Sequence, residues 1–114
     1  MKRIHDAGGV LVLATDRALA PAASRELELV VESGIPPLAV LRIATLNSAT
    51  FLGRERGLGS IETGKIANMV LLDADPSVDI RNVHKVAQVW KAGVEIDRAR
   101  LDLPINTLRT NTAD

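Results

Sequence analysis

Val10-Leu11-Val12-Leu13-Ala14-Thr15 is an apolar run of strand length, bounded by Gly8-Gly9 before it and Asp16 after it. It shows no polar alternation, so neither face is designed for water. An uninterrupted run of this kind reads as a strand covered on both faces, as in a parallel sheet. The requirement is demanding, because such a strand needs neighbouring strands at its edges as well as a layer over each face. The chain has 114 residues, the size of one ordinary domain and large enough to bury a core without disulfides or metal staples.

The sequence around this run separates into two characters. Residues 2–7 read as the last turns of a helix, stopped by Gly8-Gly9 where a C-cap prefers glycine. A loop with Pro21 follows Asp16. Ser24 is read as the N-cap of a helix from Arg25 to Ser33, with Glu26 and Glu28 near its positive end and Gly34 closing it. Leu27, Val30 and Val31 share one face of that helix. Pro36 or Pro37 sits where proline opens the next helix, and Leu38, Leu41 and Thr45 mark one side of it, with Ile43 and Ala44 adjacent. Asn47 then reads as the cap of a short third helix, Ser48 to Leu52, ended by Gly53. Beyond it, Gly57, Gly59 and Gly64 punctuate a loop, and strands are expected at residues 67–72, 83–91 and 94–96. Turns at Asp73-Ala74-Asp75-Pro76 and Ala92-Gly93 separate them. The chain thus has a βα half and a β half, joined near residues 54–64, and no internal repeat. From Pro104 onward the polar tail reads as frayed.

Composition removes several functions. Hydrophobic residues make up 46% and charged residues 25% of the chain, which is globular rather than disordered. Fourteen basic residues balance fourteen acidic ones, and Phe51 and Trp90 are the only aromatics. A nucleic-acid binder needs cationic grooves and stacking platforms, so no nucleic-acid partner is expected. The absence of cysteine excludes disulfides, thiolate metal sites and a cysteine nucleophile. Apolar runs are too short to span a bilayer, and Val10–Ala14 lacks the context of a signal-peptide core. No membrane partner and a cytoplasmic location are the expectations, with Met1 not assumed to be the natural start.

Three motifs carry possible chemistry. Gly59-Ser60-Ile61-Glu62-Thr63-Gly64-Lys65 fits the first seven positions of a phosphate-binding P-loop. Ile66, however, replaces the magnesium-binding hydroxyl, no strand precedes Gly59, and a strand rather than a helix follows. A glycine-rich turn with an exposed lysine is the better account. His5 and His84 are the only histidines. Neither has a second ligand at helical or strand spacing, whereas a catalytic zinc needs about three protein ligands. Both read as ordinary surface or boundary residues. Asp16 stands directly after the apolar strand, where α/β folds place binding and catalytic groups. A carboxylate there can bind a metal and take a proton from metal-bound water. By position alone, a turn or capping role outweighs that reading.

Several segments, in this order and at these spacings, resemble the end of the amidohydrolase superfamily, its prolidase-like and imidazolonepropionase-like members above all. They are His5-Asp6-Ala7-Gly8 leading to Leu13-Ala14-Thr15-Asp16, then Arg25-Glu26-Leu27-Glu28-Leu29-Val30. Pro37 to Ala49 follows, then Leu58 to Asn68, and last Val89-Trp90-Lys91-Ala92-Gly93. The resemblance runs from about Ile4 to Asp97. It implies an α/β chain made of the last βα unit of a TIM barrel, with strands of the small β-sandwich that packs beside it. Residues 1–56 would be the end of the barrel, with Val10–Thr15 as strand eight, residues 57–103 the sandwich strands, and 104–114 a flexible polar tail. Asp16 is then similar to the strand-eight aspartate, a metal ligand and general acid/base for the hydrolytic water. The near-P-loop becomes the crossing between layers.

The resemblance further implies a zinc or other divalent metal cofactor and a small-molecule amide or peptide-like substrate cut at a C–N bond. The remaining metal ligands of the family would lie before Met1, and an eight-stranded barrel takes about 250 residues. The chain alone is therefore expected to be inactive and to hold no metal tightly. Asn68 stands where the family usually has aspartate, and is read as a surface change. The rival expectation is a stand-alone, non-catalytic module that buries its uncovered strand in a homo-oligomer.

Overall fold

A computed structural model describes residues 1–16 and 22–100. The expected polar tail at 104–114 and the loop around Pro21 lie outside the described residues. Helix α1, Lys2–Asp6, is one short turn ended by paired glycines. The Gly9 amide reaches back to the Ile4 carbonyl at 2.8 Å and the Gly8 amide to the His5 carbonyl at 2.9 Å. Those two bonds are the Schellman closure, with Gly8 at φ 79° in the left-handed position that it requires. A Cβ on Gly9 would stand 2.5 Å from the Ile4 side chain, so both glycines are needed for different reasons.

Residues 10–15 form no strand ladder among the described residues, contrary to the expectation of a fully covered strand. Their exposure nonetheless alternates with the period of two that defines an extended chain. Leu11 and Leu13 pack against the core, while Val10 is 77% and Val12 39% exposed. The physical reason is that a ladder needs partner strands, and no described strand lies alongside. The helices cover one face only.

Helix α2 spans Ala22–Glu32, a turn earlier than expected. Ser24 lies inside it rather than at its N-cap, and Glu26 and Glu28 stand beyond the first turn. Ala22 and Ala23 are strong helix formers and carry the helix toward its start. Helix α3, Pro37–Arg42, begins with Pro37 in the first turn as expected. It does not stop before Asn47. The coil continues through a π-helical segment, Ile43–Asn47, directly into α4, Ser48–Phe51. Asn47, with φ −63° and ψ −41°, is therefore a helical residue and not a cap. Leu38, Leu41 and Thr45 do share a side, but it lines a surface groove of about 660 Å³ with Gly59 and Ser60. The core takes the neighbouring face, through Val40 and Ile43.

The β half is a three-stranded antiparallel sheet in the order β1-β2-β3, formed by Met69–Leu72, Val86–Lys91 and Val94–Glu95. Met69 faces Trp90 and Val70 faces Val89, and a bulge falls between Leu71 and Leu72. The β2–β3 turn is a two-residue type, with Ala92 at φ 51° and Gly93 at φ 80°. Asn68 completes it, since its Oδ1 accepts the Ala92 amide at 2.8 Å. An aspartate could accept the same bond. The second strand starts later than residue 83 because Asp79 caps a 3-10 turn, Ile80–His84, by accepting the Arg81 amide at 3.0 Å. This turn packs on α2 and joins the halves: Val30, Ile35, Val40, Ile43 and Ile80 form one buried cluster.

Candidate functional site

Asp16 ends the extended segment. It is exposed, its backbone is left-handed at φ 49°, and among the described residues no hydrogen bond or ion pair holds its carboxylate. Aspartate is one of the few non-glycine residues that enter this region readily, and such conformations collect at functional positions. Two helical side chains hold the segment that leads to it. Asn47 Nδ2 donates to the Leu11 carbonyl at 3.1 Å. The Leu13 amide donates to Ser48 Oγ at 3.5 Å, and that hydroxyl donates in turn to the Ile43 carbonyl at 2.9 Å.

The histidines stand apart from Asp16 in their interactions. His5 Nδ1 lies 3.4 Å from the carboxylate of its neighbour Asp6. His84 Nε2 lies 2.6 Å from Glu28 Oε1, linking the 3-10 turn to α2. Arg25 Nη1 meets Glu28 at 2.6 Å and Glu32 at 2.9 Å, so four side chains form one charged cluster. Its hydrogen bonds, His84 first and then Arg25, hold the Glu28 carboxyl below the usual glutamate range. Among the described residues no three histidine, cysteine, aspartate or glutamate side chains stand together so as to hold a metal ion. Asp16 can offer one ligand, which does not make a site, so the described residues do not fit a metal centre by themselves.

The near-P-loop is satisfied internally. Lys65 Nζ meets Ser60 Oγ at 2.5 Å and Glu62 Oε1 at 3.1 Å, and Ser60 also bonds Glu62. The lysine is largely buried rather than exposed. Gly59, at φ 91°, brings the loop against the helical arm. A Cβ there would lie 2.7 Å from Ala49 Cβ and 2.9 Å from Leu46 Cα. The glycines serve close backbone packing, and no phosphate cradle results.

A sequence model of the amidohydrolase family matches residues 1–96. The chain belongs to the amidohydrolase family. An imidazolonepropionase from Treponema denticola is 34% identical over 101 residues, covering 81% of this chain and 24% of that protein. Among solved structures, phenylurea hydrolase B superposes with a TM-score of 0.76 at 33% identity, over 86% of this chain and 26% of its own. A Xaa-Pro dipeptidase with methionine in its active site gives 0.76 at 29% identity, over 83% and 24%. The chain spans about a quarter of the length of the curated relatives it matches. These amidohydrolase likenesses carry the superfamily's α/β character.

Asn47, expected as a helix cap, and Ser48, expected only as the first residue of that helix, are the residues whose grip on the extended segment sequence reasoning missed. An asparagine before a short helix reads as a cap, and nothing local announces a π turn. The Glu28–His84 contact joins residues 56 apart. No spacing rule reaches that far.

Proposed function

We propose that this chain is the last βα unit of a metal-dependent amidohydrolase barrel, residues 1–56, with strands of the neighbouring β-sandwich in residues 57–103. The carrying observation is the extended segment 10–15, which ends in an exposed carboxylate with no partner among the described residues, within a family match over residues 1–96. The reaction is hydrolysis of a C–N bond. The names of the relatives point to small amide, peptide-like or urea substrates. Asp16 is the residue this chain contributes to the chemistry, as metal ligand and as the carboxylate that takes and returns the proton of the hydrolytic water. Every other ligand must come from residues outside those described, and the chain alone turns over nothing.

The test replaces the corresponding quarter of the Treponema imidazolonepropionase with this chain. A folded chimera with metal supplied should hydrolyse the relative's substrate, and lose that activity on Asp16→Ala. The 114-residue chain alone should be inert in the same assay. A folded chimera whose activity survives Asp16→Ala removes Asp16 from the mechanism.

A second reading is favoured by the uncovered face of residues 10–15: the chain associates with itself as a non-catalytic module. Val10 and Val12 are exposed there, and among the described residues no strand lies beside them, a surface that drives pairing. A closed two-fold dimer is the commonest symmetric solution. Light scattering after size exclusion, across a wide range of concentration, should show a species larger than the monomer. A monomer throughout overturns this reading.

A further inference from the structure

The segment that carries Asp16 has no strand beside it among the described residues, yet its backbone is held at one edge. The held groups are the carbonyl of Leu11 and the amide of Leu13. In an extended chain these two point to the same side, flanking Val12. A single residue of a parallel neighbouring strand would engage this pair, giving its amide to the first and its carbonyl to the second. Here Asn47 Nδ2 takes the place of that amide and Ser48 Oγ the place of that carbonyl.

The π-helical segment makes the substitution possible. Each residue turns an α-helix by about 100°, so the residue that a π turn adds redirects everything after it. It also alters the carbonyl pattern, and the Ser48 hydroxyl donates to the Ile43 carbonyl at 2.9 Å, which leaves its lone pairs free to accept from Leu13. Gly59 packs against the outside of the same segment, touching Leu46 and Ala49 where no Cβ would fit. The arm is thus braced on one side by a loop while its side chains grip the extended segment on the other.

We propose that Asn47 and Ser48 are positioning residues for Asp16, acting as a side-chain substitute for a neighbouring strand. The inference rests on the reading of Asp16 as the acid/base carboxylate. Asp16 lies three residues beyond Leu13 and turns sharply out of the segment at φ 49°. A segment free to slide or twist would carry the carboxylate with it.

The experiment is backbone NMR with amide exchange on the intact chain. In Ser48→Ala the Leu13 amide should exchange roughly tenfold faster or more, and Ser48→Thr should restore its protection. Asn47→Asp keeps the shape but places an acceptor against the Leu11 carbonyl. It should erase the left-handed signature of Asp16 in its amide–Hα coupling and Cα shift. Val30 and Val40 amides should keep their rates in all three variants. Unchanged Leu13 and Asp16 signals overturn the proposal, and so does an equal loss of protection at Val30 and Val40, which marks a general structural role. Asp16→Asn should leave Leu13 protection intact, so failure of the placement and failure of the chemical role are read separately.

Discussion

Two segments of strand length, the apolar run Val10–Thr15 and the more mixed Val86–Lys91, meet different fates in one molecule. The second becomes a strand with neighbours on both edges, because Met69–Leu72 and a two-residue turn to Val94–Glu95 lie within reach. Among the described residues the first has no strand beside it, and two side chains supply what a ladder would have given. The difference shows that an apolar run states a demand for pairing, which only the rest of the chain can meet. The self-sufficient hairpin carries no candidate catalytic group, while the segment held from outside ends in Asp16, the carboxylate proposed for the chemistry.

A glycine supports each region, and the largest effect is expected where the comparison is broken at these positions. Gly59→Ala meets both a left-handed backbone and a crowded space, with Ala49 Cβ at 2.7 Å. The first costs about 1–2 kcal/mol, and the overpacking adds roughly 1–3 kcal/mol. Gly93→Ala, at φ 80° with nothing near its Cβ, should show the backbone cost alone. Urea midpoints of the two variants measure the gap. Equal losses would mean that the loop yields and the arm is not braced.

The turn that leads into the hairpin is anchored to α2 through His84 and Glu28. The folded Glu28 carboxyl lies below its ordinary value of 4.5, held there by His84 and then Arg25. A depressed carboxyl stabilises the fold above its unfolded value, and the contribution disappears as pH falls through the folded one. Wild type should therefore exceed Glu28→Gln in urea melts near neutral pH, with the gap closing as the pH is taken below 4.5. A gap unchanged into acid would show that the glutamate acts by packing. Since the contact tethers the 3-10 turn to α2, its loss should be felt at Val83 and Val86 more than at Leu13.

Local chemistry made much of this legible. Gly8-Gly9, Pro37 and Ala92-Gly93 mark element ends, because each needs a dihedral or a missing donor that few residues supply. The positions of Leu27, Val30 and Val31 foretell one buried face. The start of α2 was not legible from Ser24, since a serine at the beginning of a helix looks the same whether it caps the helix or sits inside it. The π segment was hidden as well, for what it touches is tertiary: the Gly59 loop on one side and the extended segment on the other. The placement of Asp16 at the end of an extended run could be read directly, whereas the pair that holds that run could not. Asn47 and Leu11 are distant in sequence, and their contact exists only once the helices have packed.

The smallest expected effect is at Asp16 itself, and it sharpens the comparison most. Its carboxylate is exposed and has no partner among the described residues, so Asp16→Asn removes charge without removing a contact. Asparagine tolerates the left-handed region as aspartate does, so the backbone at φ 49° gains no strain. Stability should change by no more than about 0.5 kcal/mol, the range of most surface substitutions. Asp16→Ala keeps the exposure but loses that tolerance, and should cost about 1 kcal/mol or more from the backbone alone. Urea melts of the two variants separate the contributions. Near-neutrality of the asparagine variant, together with loss of turnover in a chimera that carries it, assigns the carboxylate to chemistry and not to the fold. A loss of roughly 1–2 kcal/mol in Asp16→Asn would instead show the carboxylate capping a turn. Asp16 would then resemble Asp79, which caps the turn into the hairpin, and the contrast between the two regions would fail at the residue on which it depends.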